Sequence, residues 1–190
     1  MVETKLLNYY TLVDNVKNTN REGWSKRGLR NESIASHSYG AQHIGCYLAL
    51  KEGADFSRVS ILLLFHDLIM SKIQDSTPED ASYAQKREME NAKMEQILTE
   101  VPDVMKRLYQ GIVEEFNNGD TLEGQVAREA DKLDTLFRAE AYETETERTD
   151  ITGAFLKTYS HIFKTKSGMK ILKEISKREL LRKNQTDPKY

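Results

Sequence analysis

The sequence predicts an all-α protein built as a single domain. Helix-forming residues are abundant, and the 190 residues include only three prolines and ten glycines. Apolar residues recur at helical spacing along most of the chain, and strand signals are almost absent. The length suits one domain, and no repeat or linker divides it.

The predicted helices are separated by short polar breaks. They cover roughly 6–16, 33–50, 56–70, 82–100, 102–116, 121 onward, 151–163 and 166–181. The basic stretch from Asn18 to Asn31 is predicted to be mostly loop. The segment from Phe56 to Met70 is apolar nearly all round, which favours a position in the middle of the fold. The domain is expected to span residues 1–190, with a core at about 6–145 and C-terminal helices at about 151–181.

The charge pattern excludes some classes of function. With 28 basic and 30 acidic residues the formal charge is −2, which argues against a nucleic-acid polymer or a membrane surface as partner. The longest apolar run, Ile61–Phe65, is too short to span a bilayer. Cys46 is the only cysteine, so no internal disulfide forms. The N-terminus has no apolar signal core, and we expect a soluble, cytoplasmic protein.

The pair His66-Asp67 is the most informative feature, because it follows the most apolar segment of the chain. A buried carboxylate is costly unless it is paired or bound to a metal, and imidazole is a common partner ligand. An isolated pair of this kind would more often cap a helix end. Here His37 begins an earlier predicted helix and Asp131 lies inside a later one, with Asp134 one turn further on, where it could orient a ligand.

The order His…His-Asp…Asp resembles the signature of the HD-domain phosphohydrolases, and longer stretches resemble their 5′-deoxynucleotidase branch. The stretches that resemble this branch are Arg21–Trp24, Arg27-Gly28, Glu32–Tyr39, Leu64–Asp67, Asp75–Pro78, Glu114–Phe116, Ala130–Asp134 and Ala139–Glu143. They occur in the expected order, from about Leu6 to Glu143.

The resemblance implies an HD-domain helical bundle with one divalent ion, bound by His37, His66, Asp67 and Asp131. Two histidines and two carboxylates suit Mn, Co, Zn, Fe or Mg. It also implies hydrolysis of a phosphate ester on a deoxynucleoside, commonly the 5′-monophosphate. In this interpretation Asp67 and Asp75 are the catalytic residues.

Three residues are implied to bind the substrate. Arg21 corresponds to an arginine that contacts the phosphate, for which its planar fork is suited. Trp24 corresponds to a tryptophan near the sugar, although a role as an anchor of the core fits it equally well. Asp75 corresponds to an acid near the sugar and the phosphate.

The sequence departs from the family pattern at Met70, where the family usually has a glutamate that manages the attacking water. Gln74 likewise replaces a usual glycine. General-base help is worth about 10²–10⁴-fold in rate, so hydrolysis could be weak, or Asp75 could act as the base. Two alternatives remain open. One is a deoxynucleoside triphosphate triphosphohydrolase, for which Lys72 would suit the extra charge, and the other is a non-catalytic nucleotide-binding or scaffold protein.

The expected partners are a small-molecule nucleotide and a second copy of the chain. Apolar residues near the C-terminus could form the face of a homodimer, or could equally close the core of the monomer. These residues are Ile151, Phe155, Tyr159 and Phe163. His43, which falls on another helix face than His37, is interpreted as structural.

Overall fold

The structure, a computed structural model, describes residues 2–71 and 83–186. Within these ranges the chain is helical, and the single extended pairing is an antiparallel bridge between Asn20 and Ser33. The α-helices are α1 (Val2–Asn18), α2 (Glu22–Ser25), α3 (Ile34–Glu52), α4 (Phe56–Phe65), α5 (Tyr83–Glu100), α6 (Asp103–Asn118), α7 (Leu122–Thr146), α8 (Ile151–Tyr159) and α9 (Lys166–Thr186). Two short 3-10 helices cover Leu68–Ser71 and Ser160–Ile162. The predicted all-α class is confirmed.

The chain divides into two compact units. The first comprises Met1–Tyr39 with Leu64–Glu114, and the second comprises Gly40–Leu63 with Glu115–Tyr190. The expectation of a single domain over residues 1–190 stays a prediction. None of the helices that the structure describes is long and apolar enough to cross a membrane.

The first unit has an apolar core formed by α1, the 3-10 helix at Leu68–Ser71, α5 and α6. These segments present apolar side chains at helical spacing, so that each has one buried stripe. The buried members of the cluster are Leu12, Val16, Ile34, Leu68, Ile97, Val101 and Tyr109. Burial of these side chains fixes the position of the turn just before Leu68.

In the second unit, α7 packs against α8 and α9. Two buried glutamates on α7 hold the beginnings of these helices. Glu143 accepts the backbone N–H groups of Ile151 and Thr152, at 2.7 and 2.8 Å, in the first turn of α8. Glu129 accepts the N–H groups of Lys164 and Thr165, at 2.7 and 2.8 Å, directly before α9. Carboxylates at helix beginnings satisfy N–H groups that lack partners within the helix.

The C-terminal apolar residues are only partly consistent with a free dimer face. Ile151 and Phe163 are buried, so they close the core of the second unit. Phe155 and Tyr159 are half-buried and stack on each other, with ring centroids 5.6 Å apart. The homodimer stays a prediction.

One helix prediction needs correction. The predicted helix at 56–70 ends at Phe65, and the N–H of Met70 bonds to the carbonyl of Asp67 at 3.0 Å in the first turn of the 3-10 helix that follows. In addition, α4 is not buried on every side, since Leu64 is 60% exposed. In the stretch expected to be loop, α2 forms one turn and is closed by Gly28, whose φ of +70° suits a glycine.

Candidate metal centre

Three side chains of the first unit that can bind a metal ion lie together. They are His37, His66 and Asp67, and their donor atoms all lie within 4.8 Å of one another. Oδ2 of Asp67 is 3.2 Å from Nε2 of His66 and 3.8 Å from Nε2 of His37. Both imidazoles are buried, and Asp67 is half-buried. The structure thus brings together three of the four predicted ligands.

Local structure explains how the two histidines are positioned. Ser33 precedes α3, and its hydroxyl accepts the N–H of Ser36 at 3.1 Å, which is the pattern of a helix N-cap. His37 follows in the first turn, with its N–H bonded to the carbonyl of Ser33 at 3.1 Å. His66 and Asp67 occupy the turn between α4 and the next 3-10 helix. A turn lets two consecutive side chains reach the same point, which a continuous helix would not.

The donor set fits a divalent metal ion. Ligand atoms about 2.1 Å from one ion lie about 3.0–3.4 Å from each other in tetrahedral or octahedral geometry. The separations of 3.2 and 3.8 Å to Asp67 are close to this range. Two imidazoles with a carboxylate suit several first-row metals. A bound ion would also offset the cost of placing a carboxylate beside two largely dehydrated rings.

The fourth predicted ligand, Asp131, lies on α7 in the second unit. It is 5% exposed, and its Oδ2 is 2.7 Å from Nζ of Lys132. Asp134, one turn further on, lies against α3 within the same unit, where a Cβ on Gly40 would be 2.1 Å from Oδ1 of Asp134. Because Gly40 has no Cβ, α3 can lie this close to the carboxylate of Asp134. The role of Asp131 as a ligand, and that of Asp134 in orienting one, stay predictions.

The proposed substrate residues of the first unit form a small cluster around Glu32. Nε1 of Trp24 donates to Oε2 of Glu32 at 2.8 Å, and Nη1 of Arg21 lies 3.5 Å from the same oxygen. The guanidinium carbon of Arg21 is 5.7 Å from the centre of the Trp24 ring. Trp24 is 2% exposed, so most of its surface packs within the protein. This geometry favours the anchoring role for Trp24, while the substrate roles of both residues stay predictions.

Met70 is packed with apolar neighbours. It lies against the apolar cluster of the first unit, together with Phe65 and Ile69. Position 70, where the family usually has a glutamate, therefore lies in a hydrophobic environment. The other predicted residues of this region, Lys72, Gln74 and Asp75, lie outside the described residues.

A tyrosine hydroxyl is buried close to the donor cluster. Tyr109 on α6 is 1% exposed, its ring lies 6.3 Å from that of Phe65, and its hydroxyl has no hydrogen-bond partner among the described residues. Burial raises the pKa of Tyr109 well above its usual value, and electrostatic interaction with Tyr9 and Asp67 raises it further. The hydroxyl is therefore protonated at neutral pH.

Comparison with known proteins decides the family. The model of a family described as HD domain matches residues 13–175. The chain belongs to the HD-domain family. The HD domain here is similar to proteins named 5′-deoxynucleotidase HDDC2. The Xenopus laevis protein is 28% identical over 73% of this chain and 69% of its own length, and the human protein is 28% identical over 73% and 68%.

Solved structures show the same fold. A conserved hypothetical protein from Pyrococcus furiosus superposes with a TM-score of 0.74 at 26% identity, over 90% of this chain and 99% of the other. An HD-domain phosphohydrolase from Listeria innocua gives a TM-score of 0.68 at 18% identity, over 93% and 90%. The HD-domain fold and the assignment to hydrolases that act on phosphate esters are confirmed.

Sequence reasoning missed the contacts of two residues of the first unit, Glu32 and Tyr109. Glu32 lies inside a matched stretch, but nothing in the sequence indicates that it pairs with residues eight and eleven positions earlier. That pairing depends on how the loop closes, which the bridge at Asn20 and Ser33 determines. In the sequence, Tyr109 resembles any other residue on the apolar face of a helix. No neighbouring residue indicates that its hydroxyl is buried.

Proposed function

We propose that this HD domain is a metal-dependent 5′-deoxynucleotidase, which releases phosphate from deoxynucleoside 5′-monophosphates. The observation that carries the proposal is the cluster of His37, His66 and Asp67, in which both histidines are buried and the donor atoms all lie within 4.8 Å of one another. The similarity to the HDDC2 proteins supports the choice of substrate. Asp131 is proposed as the fourth ligand.

The proposed chemistry combines metal activation with positioning. A divalent ion at this site would polarise the phosphoryl group and lower the pKa of water. His37 and His66 would hold it through nitrogen, and Asp67 would contribute negative charge. Arg21 would bind two phosphate oxygens through its planar guanidinium. Asp75 is proposed to contact the sugar and to move the proton.

The packing of Met70 bears on how fast this reaction runs. A thioether in an apolar cluster neither accepts a proton nor orients water. We therefore propose slow turnover, by about 10²–10⁴-fold relative to a site with a general base at this position. The same packing would suit a domain that binds nucleotides without hydrolysing them, and the experiment below separates the two.

The test is a hydrolysis screen of the purified protein with deoxy- and ribonucleoside mono- and triphosphates, supplied with Mn, Co, Mg or Zn. A His66→Ala, Asp67→Ala double variant measures dependence on the cluster, and His43→Ala, an exposed histidine on α3, is the matched control. Metal content is measured in parallel by mass spectrometry.

The expected result is orthophosphate from deoxynucleoside monophosphates, lost in the double variant and retained in His43→Ala. Release of tripolyphosphate from deoxynucleoside triphosphates would instead assign the triphosphohydrolase activity. Stoichiometric metal with no turnover on any nucleotide would reject the nucleotidase and leave a binding protein.

A further inference from the structure

The loop that carries Arg21 and Trp24 is fixed at both ends. The N–H of Arg21 donates to the carbonyl of Glu32 at 2.8 Å, next to the bridge between Asn20 and Ser33. Within the loop, the carbonyl of Trp24 accepts N–H groups of the tight turn that follows α2. The backbone of Glu32 is therefore tied to the very residues that its side chain contacts.

Glu32 is only 6% exposed, and a carboxylate in such a place needs partners. One oxygen, Oε2, receives the indole N–H of Trp24 and lies beside the guanidinium of Arg21. A single charged atom thus constrains two side chains at once. Glu32 also directly precedes Ser33, the cap of the helix that carries His37.

The guanidinium of Arg21 contacts Glu32 at one of its corners. The contact to Glu32 runs through Nη1, and an arginine has five N–H donors in a rigid plane. A phosphate binds such a plane through two parallel N–H groups. A guanidinium already held by a buried carboxylate loses less conformational freedom when it binds phosphate.

We propose that Glu32 is a positioning residue for substrate binding, which orients the guanidinium of Arg21 and the indole of Trp24 through Oε2. The proposal rests on the proposed function, in which Arg21 binds the phosphate of the substrate. Glu32 acts through Arg21 and does not touch the substrate itself. Its loss should therefore weaken binding more than turnover.

The first test is Glu32→Gln, which keeps the size of the side chain and an oxygen for the indole but removes the charge. We expect KM for a deoxynucleoside monophosphate to rise about tenfold with kcat nearly unchanged, as for loss of a hydrogen bond to a charged group. Glu22→Gln is the matched control, since Glu22 lies in the same loop and pairs only locally with Lys26 at 3.5 Å. Its KM should stay at the wild-type value.

A double-variant cycle distinguishes positioning from general damage. If Glu32 acts through Arg21, Glu32→Gln should have almost no further effect on KM in an Arg21→Met background. Equal effects in both backgrounds would overturn the proposal. So would a wild-type KM in Glu32→Gln when Arg21→Met alone raises KM, and in that case the proposed function would survive.

A spectroscopic measurement covers the case in which Glu32→Gln does not fold. Trp24 is the only tryptophan, so the protein has one indole N–H resonance and one source of indole fluorescence. In wild-type protein freed of metal by a chelator, addition of deoxynucleoside monophosphate should shift this resonance, and Arg21→Met should abolish the shift. An unchanged resonance in wild-type protein would overturn the proposal. Failure of the proposed function is recognised separately, as the absence of hydrolysis in the metal-loaded wild type.

Discussion

Met70 occupies the position at which the proposed reaction would use a general base. It packs against the apolar cluster of the first unit, three residues after Asp67. We expect Met70→Glu to raise kcat by about 10²-fold, because it supplies a base where the family usually has one. The same change should lower the free energy of unfolding by about 1–3 kcal/mol, because a charge enters an apolar environment. Steady-state kinetics and urea denaturation measure the two effects.

The control for Met70→Glu is Met70→Gln, which introduces polarity without a base. It should share the loss of stability and keep the wild-type kcat. Equal kcat values in the two variants would show that no proton transfer occurs at position 70.

The hydroxyl of Tyr109 is expected to lower the free energy of unfolding. This buried hydroxyl lacks a hydrogen-bond partner among the described residues, and such a group loses its hydration without compensation. We therefore expect Tyr109→Phe to raise the free energy of unfolding by about 1 kcal/mol. Denaturation curves measure this, with Tyr10→Phe at an exposed position as control. A less stable Tyr109→Phe would mean that the hydroxyl has a partner in solution.

These residues mark the limit of what the sequence could reveal about the site. The pattern around His37, His66 and Asp67 was sufficient to predict that these three side chains lie together, as they do in the structure. The partners of Trp24 could not be predicted, because they depend on the path of a loop and not on spacing along a helix. The side chain of Glu32 reaches back across that loop, and no periodicity encodes such a contact.

Helix α7 stabilises its neighbours through buried acids. Glu143 accepts two N–H groups of α8 and the hydroxyl of Thr152, and it also pairs with Arg182 of α9. We expect Glu143→Ala to lower the free energy of unfolding by about 3 kcal/mol, because these donors would remain buried without an acceptor. Thermal and urea denaturation measure this. Glu174→Ala, at an exposed position of α9, should change stability by no more than about 0.5 kcal/mol.

Helix positions were more predictable than helix ends. The polar breaks and the apolar spacing located α3 and α6, and the beginning of α7, to within a few residues. The end of α4 could not be predicted from the apolar spacing. Its apolar character continues beyond Phe65, while the hydrogen bond from Met70 to Asp67 starts a tighter turn.

The metal should stabilise the whole protein as well as activate it. Binding to the folded state alone adds about 2.7 kcal/mol when the free ion is at 100 times Kd, which corresponds to a rise in Tm of about 5–10 °C for a chain of this size. We expect this rise when Mn²⁺ is added to chelator-treated protein, followed by calorimetry. The His66→Ala, Asp67→Ala variant should show none, and an equal rise in it would place the ion elsewhere.

The two glutamates of α7 have a further consequence for how this chain can evolve. Positions 129 and 143 are about four helical turns and roughly 21 Å apart, on nearly the same side of the helix. The spacing of the two carboxylates on α7 therefore determines where α8 and α9 begin. A single inserted residue between these positions would rotate one carboxylate by about 100° relative to the other. An inserted whole turn would restore this direction but would move one carboxylate about 5.4 Å along the axis, so the length of this stretch should vary far less than that of the loops.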